Sequence, residues 1–204
     1  MNNRIADMKC LAAAVALLSL TTSPVVAKPA EIEVTAFHTP QTVARLSGAA
    51  VIVESAPGTD PASLEQAVWR DAVARELLAA GFGTATPGAA NAIAQVEVDR
   101  ETVRREGARG PFSVGVGGST GSYGGGVGLG LGLNLGGGPK ELVLTRLSVR
   151  IRDRITGEAL WEGRAESREN AKAKEAAPAL AAPRMARALF AGFPGKSGAT
   201  IKVK

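Results

Sequence analysis

The chain has 204 residues, 24 basic and 19 acidic, with a formal net charge of +5 at neutral pH. A single cysteine and a single histidine leave no disulfide framework and almost no ligands for a zinc or transition-metal centre. So mild a positive balance gives no reason to expect a nucleic-acid partner.

Residues 1–27 read as an export signal. Arg4 and Lys9 form a positive start, and Leu11-Ala-Ala-Ala-Val-Ala-Leu-Leu-Ser-Leu20 is an apolar run. At about ten residues it is too short to span a bilayer, which takes roughly twenty. Pro24-Val-Val-Ala27 supplies the slender residues that signal peptidase accepts, so cleavage is expected between Ala27 and Lys28. Cleavage removes Arg4, Asp7 and Lys9 and leaves 177 residues carrying 22 basic and 18 acidic groups. Cys10 precedes the apolar run, where a lipid-attachment cysteine would follow it. The expected location is the periplasm or the exterior, with outer-membrane association admitted and lipidation not.

Glu31-Ile-Glu-Val-Thr-Ala-Phe-His38 alternates polar and apolar residues as a first strand does, and Gly48-Ala-Ala-Val-Ile-Val-Glu54 reads as a second. A turn at Pro57-Gly-Thr-Asp-Pro61 leads into a helix expected from Pro61 to Ala80, capped by Asp60 and ended at Gly81. Its stripes, Leu64/Val68/Ala72 and Trp69/Val73/Leu77/Ala80, imply cover from a second element, such as a C-terminal helix. Ala92, Ala94, Val96 and Val98 mark a half-buried strand through Asp99.

Two further strands, residues 142–152 and 159–168, flank the turn Asp153-Arg-Ile-Thr-Gly157. Leu147, Val149 and Ile151 would face inward from one strand, and Trp161, Gly163 and Ala165 from the other. Setting Arg146 opposite Glu166 and Arg150 opposite Glu162 places unlike charges together, which favours that register. A helix from Pro183 to Ala191 and a short strand at Thr200-Ile-Lys-Val203 close the chain. The order implies one α+β domain, residues 28–204: a single sheet of mostly antiparallel strands with one or two packed helices and a glycine-rich β-hairpin.

Residues 114–138 hold 13 of the chain's 25 glycines. Val127, Leu129, Leu131, Leu133 and Leu135 fall on one parity, with Gly128, Gly130, Gly132, Asn134 and Gly136 on the other. Period two implies a hairpin with one aliphatic and one bare face. Three readings stay open: the aliphatic face closes the domain's own core, meets another protein or subunit, or enters lipid as part of an oligomeric barrel. Arg100, Arg104, Arg105 and Arg109 lead into the tract, and Lys140, Arg146, Arg150 and Arg152 lead out. A hairpin would gather them at its base, either as a solvated, partly ion-paired face or as a patch for anionic headgroups or glycans. Val127, Leu129, Leu131, Leu133, Leu135, Arg104, Arg105, Lys140, Arg146 and Arg150 are therefore the candidate contact surface.

Catalytic chemistry finds little purchase. The tract lacks the Gly-x-Gly-x-x-Gly spacing, and Gly195-Lys-Ser197 lacks the glycine that a phosphate loop needs at Phe190. His38, alone at a strand end, reads as structural or solvated, and nothing pairs the carboxylates of Glu54, Asp99 and Asp153. No catalytic, cofactor or metal residues are assigned.

Phe37-His38, Leu64-Glu65, Leu77-Leu-Ala-Ala-Gly-Phe82, the strand from Ala92, Asp153-x-x-Thr-Gly157, Leu160-Trp-Glu-Gly163 and Ala188-Leu-Phe-x-x-Phe-Pro-Gly195 occur in this order. Together with the glycine alternation they resemble the domain of unknown function 4136 family across nearly all of the chain after the signal. The resemblance implies a secreted α+β envelope domain, often a lipoprotein, and brings no activity. This sequence departs from the family in lacking the lipid-attachment cysteine. The expectation is an exported, non-enzymatic binding or structural module without a cofactor. Its partner would be an envelope protein, a cell-wall component or an anionic membrane surface, with its oligomeric state open.

Overall fold

The computed structural model describes residues 30–86, 88–105 and 140–204. The signal and the glycine tract, including Val127, Leu129, Leu131, Leu133 and Leu135, lie outside the described residues.

The elements in chain order are β1 (Ile32–Phe37), α1 (Pro40–Ala44), β2 (Ala50–Ser55), α2 (Leu64–Ala79), β3 (Gly83–Thr84), β4 (Ala92–Arg105), β5 (Lys140–Asp153), β6 (Ala159–Asn170), α3 (Pro178–Phe190) and β7 (Thr200–Val203). All seven strands join one sheet in the order β3-β2-β4-β5-β6-β1-β7. The sheet is mixed rather than mostly antiparallel, because β2 runs parallel to both β3 and β4. The physical reason is the crossover through α2, which returns the chain to the same end of the sheet before β4 starts.

α2 and α3 pack on each other and on one face of the sheet. From that face β4 contributes Ala92, Ala94 and Val96, β5 contributes Leu147, Val149 and Ile151, and β6 contributes Trp161 and Ala165. These are the inward positions expected from period two. α2 answers with Trp69, Ala72, Val73 and Leu77, whose spacing makes one stripe. Leu64, at the first turn, is 85% exposed, and Ala80 is also exposed, so neither belongs to a buried stripe. Each large aliphatic side chain buried here contributes roughly 1.5–3 kcal/mol relative to exposure.

Both helices begin elsewhere than expected. Ser63, not Asp60, caps α2, its hydroxyl accepting from the Gln66 N–H at 3.4 Å, while Asp60 holds the preceding turn through the Ala62 N–H at 2.9 Å. α3 starts at Pro178, where the missing N–H costs nothing, and Pro183 lies inside the helix. α3 is buried on two sides, through Ala181, Ala182, Met185, Ala186 and Leu189, and its alanines allow close approach to α2 and the sheet.

The β5–β6 ladder places Arg146 opposite Glu166 and Arg150 opposite Glu162, with Leu147 opposite Ala165. The charge-matched register is therefore the native one. At its turn, Asp153 Oδ1 accepts from the N–H groups of Ile155 and Thr156 at 2.9 and 2.8 Å, and Gly157 takes a positive φ of 74°. β4 and β5 run further than the expected strands, and the ladder ends with Arg105 opposite Lys140.

Candidate contact surface

No helix of the described residues covers the second face of the sheet. Charged and polar side chains alternate across it in rows set by the registers. One row runs through five strands, Asp99, Arg146, Glu166, Glu33 and Lys202. Arg146 Nε lies 2.9 Å from Glu166 Oε1 and its Nη1 3.8 Å from Asp99, while Lys202 Nζ is 3.6 Å from Glu33. The hydrogen bond and charge of Glu166 hold the Arg146 guanidinium above its ordinary range. A second row sets Gln95, Arg150, Glu162 and Phe37 side by side, with Arg150 Nε 2.6 Å from Glu162.

Between them lies a row of Glu97, Ser148, Arg164, Thr35 and Thr200. The hydroxyls of Thr35 and Thr200 hydrogen-bond at 2.7 Å. Arg164 is exposed and makes no ion pair among the described residues. These rows floor an open groove of about 270 Å³ whose lining includes Phe37, Gln95, Glu97, Arg150, Glu162 and Arg164. Phe37 is 53% exposed, a large apolar ring left at the groove.

The candidate basic residues divide between the two faces. Arg146 and Arg150 stand on the open face, each bound to a carboxylate. Arg104 has the parity of Val98 and Ala94, and so projects from the opposite side, where Glu141 holds it at 2.8 Å. Arg105 and Lys140 pair through the backbone at the end of the ladder, which sets the two ends of segment 106–139 side by side. Arg100 turns to the helical layer and bonds Glu65 at 2.9 Å and the Ala176 carbonyl at 2.6 Å. An ion-paired surface describes Arg104, Arg146 and Arg150 better than a free positive collar.

The sequence motifs converge on packing. The Trp161 ring stacks on Phe190 at 5.4 Å and touches Phe193 at 5.3 Å, while Phe193 meets the edge of Phe82 at 5.3 Å. Trp161 Nε1 donates to the Pro194 carbonyl at 3.0 Å. The ring lies over Gly163 so closely that a Cβ there would stand 2.1 Å from Cη2. His38 Nε2 donates to the Gly195 carbonyl at 3.1 Å, which gives the only histidine a structural role. Asp153 and Glu158 both ion-pair with Arg45, at 2.6 and 2.5 Å.

One cluster has no counterpart in the sequence-based assignment. Glu169, 6% exposed, faces the helical layer from β6 and binds Arg184 of α3 at 2.5 Å. Both groups grip Ala30: its N–H donates to Glu169 at 3.2 Å, and its carbonyl accepts from Arg184 at 3.1 Å. The available signal was parity, since Glu169 continues the inward series Trp161, Gly163, Ala165 and Ser167. Among the described residues, no group of three His, Cys, Asp or Glu is placed to hold a metal ion, and no helix is long and apolar enough to cross a membrane.

A single mixed sheet with helices on one face makes this a two-layer α+β domain. The chain belongs to the family described as Domain of unknown function (DUF4136), which it matches over residues 37–195. An uncharacterised protein of Zymomonas mobilis subsp. mobilis is 44% identical over 62 residues, which are 30% of this chain and 23% of that protein. Similar solved structures include the PelC dodecamer from Paraburkholderia phytofirmans, at 13% identity and a TM-score of 0.43, covering 81% of this chain and 99% of that one. A PDZ domain protein from Parabacteroides distasonis has 11% identity and a TM-score of 0.43, covering 85% and 39%.

Proposed function

We propose that this chain is an exported cell-envelope protein that acts by binding rather than by catalysis, with the uncovered sheet face as its contact surface. The observation that carries the reading is the asymmetry of the sheet. One face is sealed by α2 and α3, while the other presents a groove with an exposed Phe37 and ordered rows of charge. Export rests on the charged start, short apolar run and Pro24-Val-Val-Ala27 at the N-terminus. Fractionation of producing cells, with N-terminal sequencing, tests it. A periplasmic or secreted form beginning at Lys28 is expected, and an intact cytoplasmic chain overturns the reading.

A second reading has one observation in its favour. β4 and β5 stay paired to Arg105 and Lys140, so the two ends of segment 106–139 are side by side, and its sequence has five aliphatics in strict alternation between Val127 and Leu135. It makes the segment an oligomeric membrane element. Flotation with anionic vesicles, lost on deleting residues 114–138, supports this reading; no flotation of either form removes it.

A further inference from the structure

We infer that the groove on the uncovered face binds a short saccharide, with a carboxylate-bearing sugar held at Arg164 and a pyranose ring stacked on Phe37. This names the ligand class of the surface proposed above and rests on that reading.

The backbone narrows the ligand first. The groove lies over β4, β5, β6 and β1, and at its centre the backbone is paired on both sides: Gln95 with Glu54 and Arg150, Glu162 with Arg150 and Phe37. Over the centre of the groove a peptide finds no free strand edge to extend, so recognition there falls to side chains.

Charge narrows it further. Arg150 is matched by Glu162 at 2.6 Å and Arg146 by Glu166 at 2.9 Å, so the rows alternate in sign and build no broad field for a polyanion or an anionic membrane. Of the two arginines in the groove, Arg164 alone has no carboxylate within ion-pair distance among the described residues; Ser148 and Thr35 are its cross-strand neighbours, and Glu97 lies beyond Ser148 at the far side of the row. A guanidinium between two hydroxyls matches one carboxylate and the hydroxyls next to it. Phe37 supplies the apolar plane that a sugar's C–H face covers, and a few polar groups around one aromatic ring is the usual make-up of a small-ligand site.

The test is titration of the folded chain with trigalacturonate and with its carboxyl-reduced neutral form, followed by amide chemical shifts and calorimetry. Saturable shifts are expected around Phe37, Arg150 and Arg164. Phe37→Ala should weaken both saccharides about tenfold, and Phe37→Tyr should restore both. Arg164→Gln should weaken trigalacturonate about tenfold and leave the neutral form unchanged, since only the charged hydrogen bond is lost. Both side chains are exposed, and circular dichroism checks that the variants fold.

The inference is overturned by millimolar saccharide giving no saturable shift. Affinity indifferent to both substitutions, or lost only on deleting residues 114–138, overturns it equally. Failure of export is read separately: binding by a chain that stays in the cytoplasm removes the envelope reading and keeps the site, while an exported chain that binds neither saccharide does the reverse.

Discussion

Replacing Gly163 with alanine tests the central packing relation of the domain. The new methyl would stand 2.1 Å from Trp161 Cη2 and 2.7 Å from Cζ2 and Cζ3. Trp161 is 1% exposed, so its ring has no free space to enter. To move, it must give up the bond to the Pro194 carbonyl and its stacking on Phe190. Overpacking of this kind costs about 1–3 kcal/mol, and a lost buried hydrogen bond about 1 more, so a loss of about 3 kcal/mol is expected. With a urea slope of about 2 kcal/mol/M, the unfolding midpoint should fall by about 1.5 M at unchanged slope. The decisive control is the same substitution in a Trp161→Leu background. There the ring is gone, and alanine in a strand should be neutral or stabilising by about 0.5–1 kcal/mol. A Gly163→Ala protein within about 0.5 kcal/mol of the parent, or an equal cost in both backgrounds, refutes the reasoning.

Three further outcomes follow from other contacts. Glu169→Ala should cost about 3 kcal/mol by leaving Arg184 without its partner in a largely buried site, whereas Glu169→Leu with Arg184→Met should recover most of it; denaturant unfolding of both decides. Asp153 is held below its ordinary value of 3.8, first by the Thr156 N–H, then by the Ile155 N–H and Arg45. Its stabilisation is thus present above that value and lost as pH falls through the lower folded-state value. The advantage of the parent over Asp153→Asn, followed by melting from pH 7 downward, should be constant above pH 5 and shrink below about 3.8. Arg150→Glu should destabilise by no more than about 1 kcal/mol, because the pair is exposed, and adding Glu162→Arg should restore the loss. No recovery in the double variant would contradict the pairing.

The β5–β6 hairpin was legible because two periodicities agreed: aliphatics on one parity, and charges on the other that match in only one register. Strand direction at β2 was not, since alternation within a strand carries no sign for its neighbour and only the α2 crossover supplies it. α1 is five residues long, too short to show a helical period, and is held instead by a reciprocal cap between Thr39 and Thr42. For α2, Asp60 and Ser63 both suit a cap, and Leu64 pulls the reading toward a longer stripe although it points into water.

The candidate arginines divide between the two faces for a geometric reason. Ending β4 at Asp99 hid that Arg104 shares the inward parity of Val98, so arginines that look adjacent in sequence stand on opposite faces. Phe37 was visible as a strand residue and as part of a family motif. Its parity with Glu33 and Thr35 puts it on the polar side of the sheet, but its place beside Glu162 depends on a register sequence does not show.

β2 accompanies β4 only from Ala92 to Val96, yet β4 and β5 stay paired to Arg105 and Lys140. From Val98 the β4–β5 ladder runs on for about 24 Å at 3.4 Å per residue, flanked by β6 as far as Leu142. Whatever joins its ends is therefore fastened well away from Trp69 and Trp161. An epitope spliced between Arg105 and Lys140 would be attached at the far end of this ladder, several residues along it from the stack around Trp161.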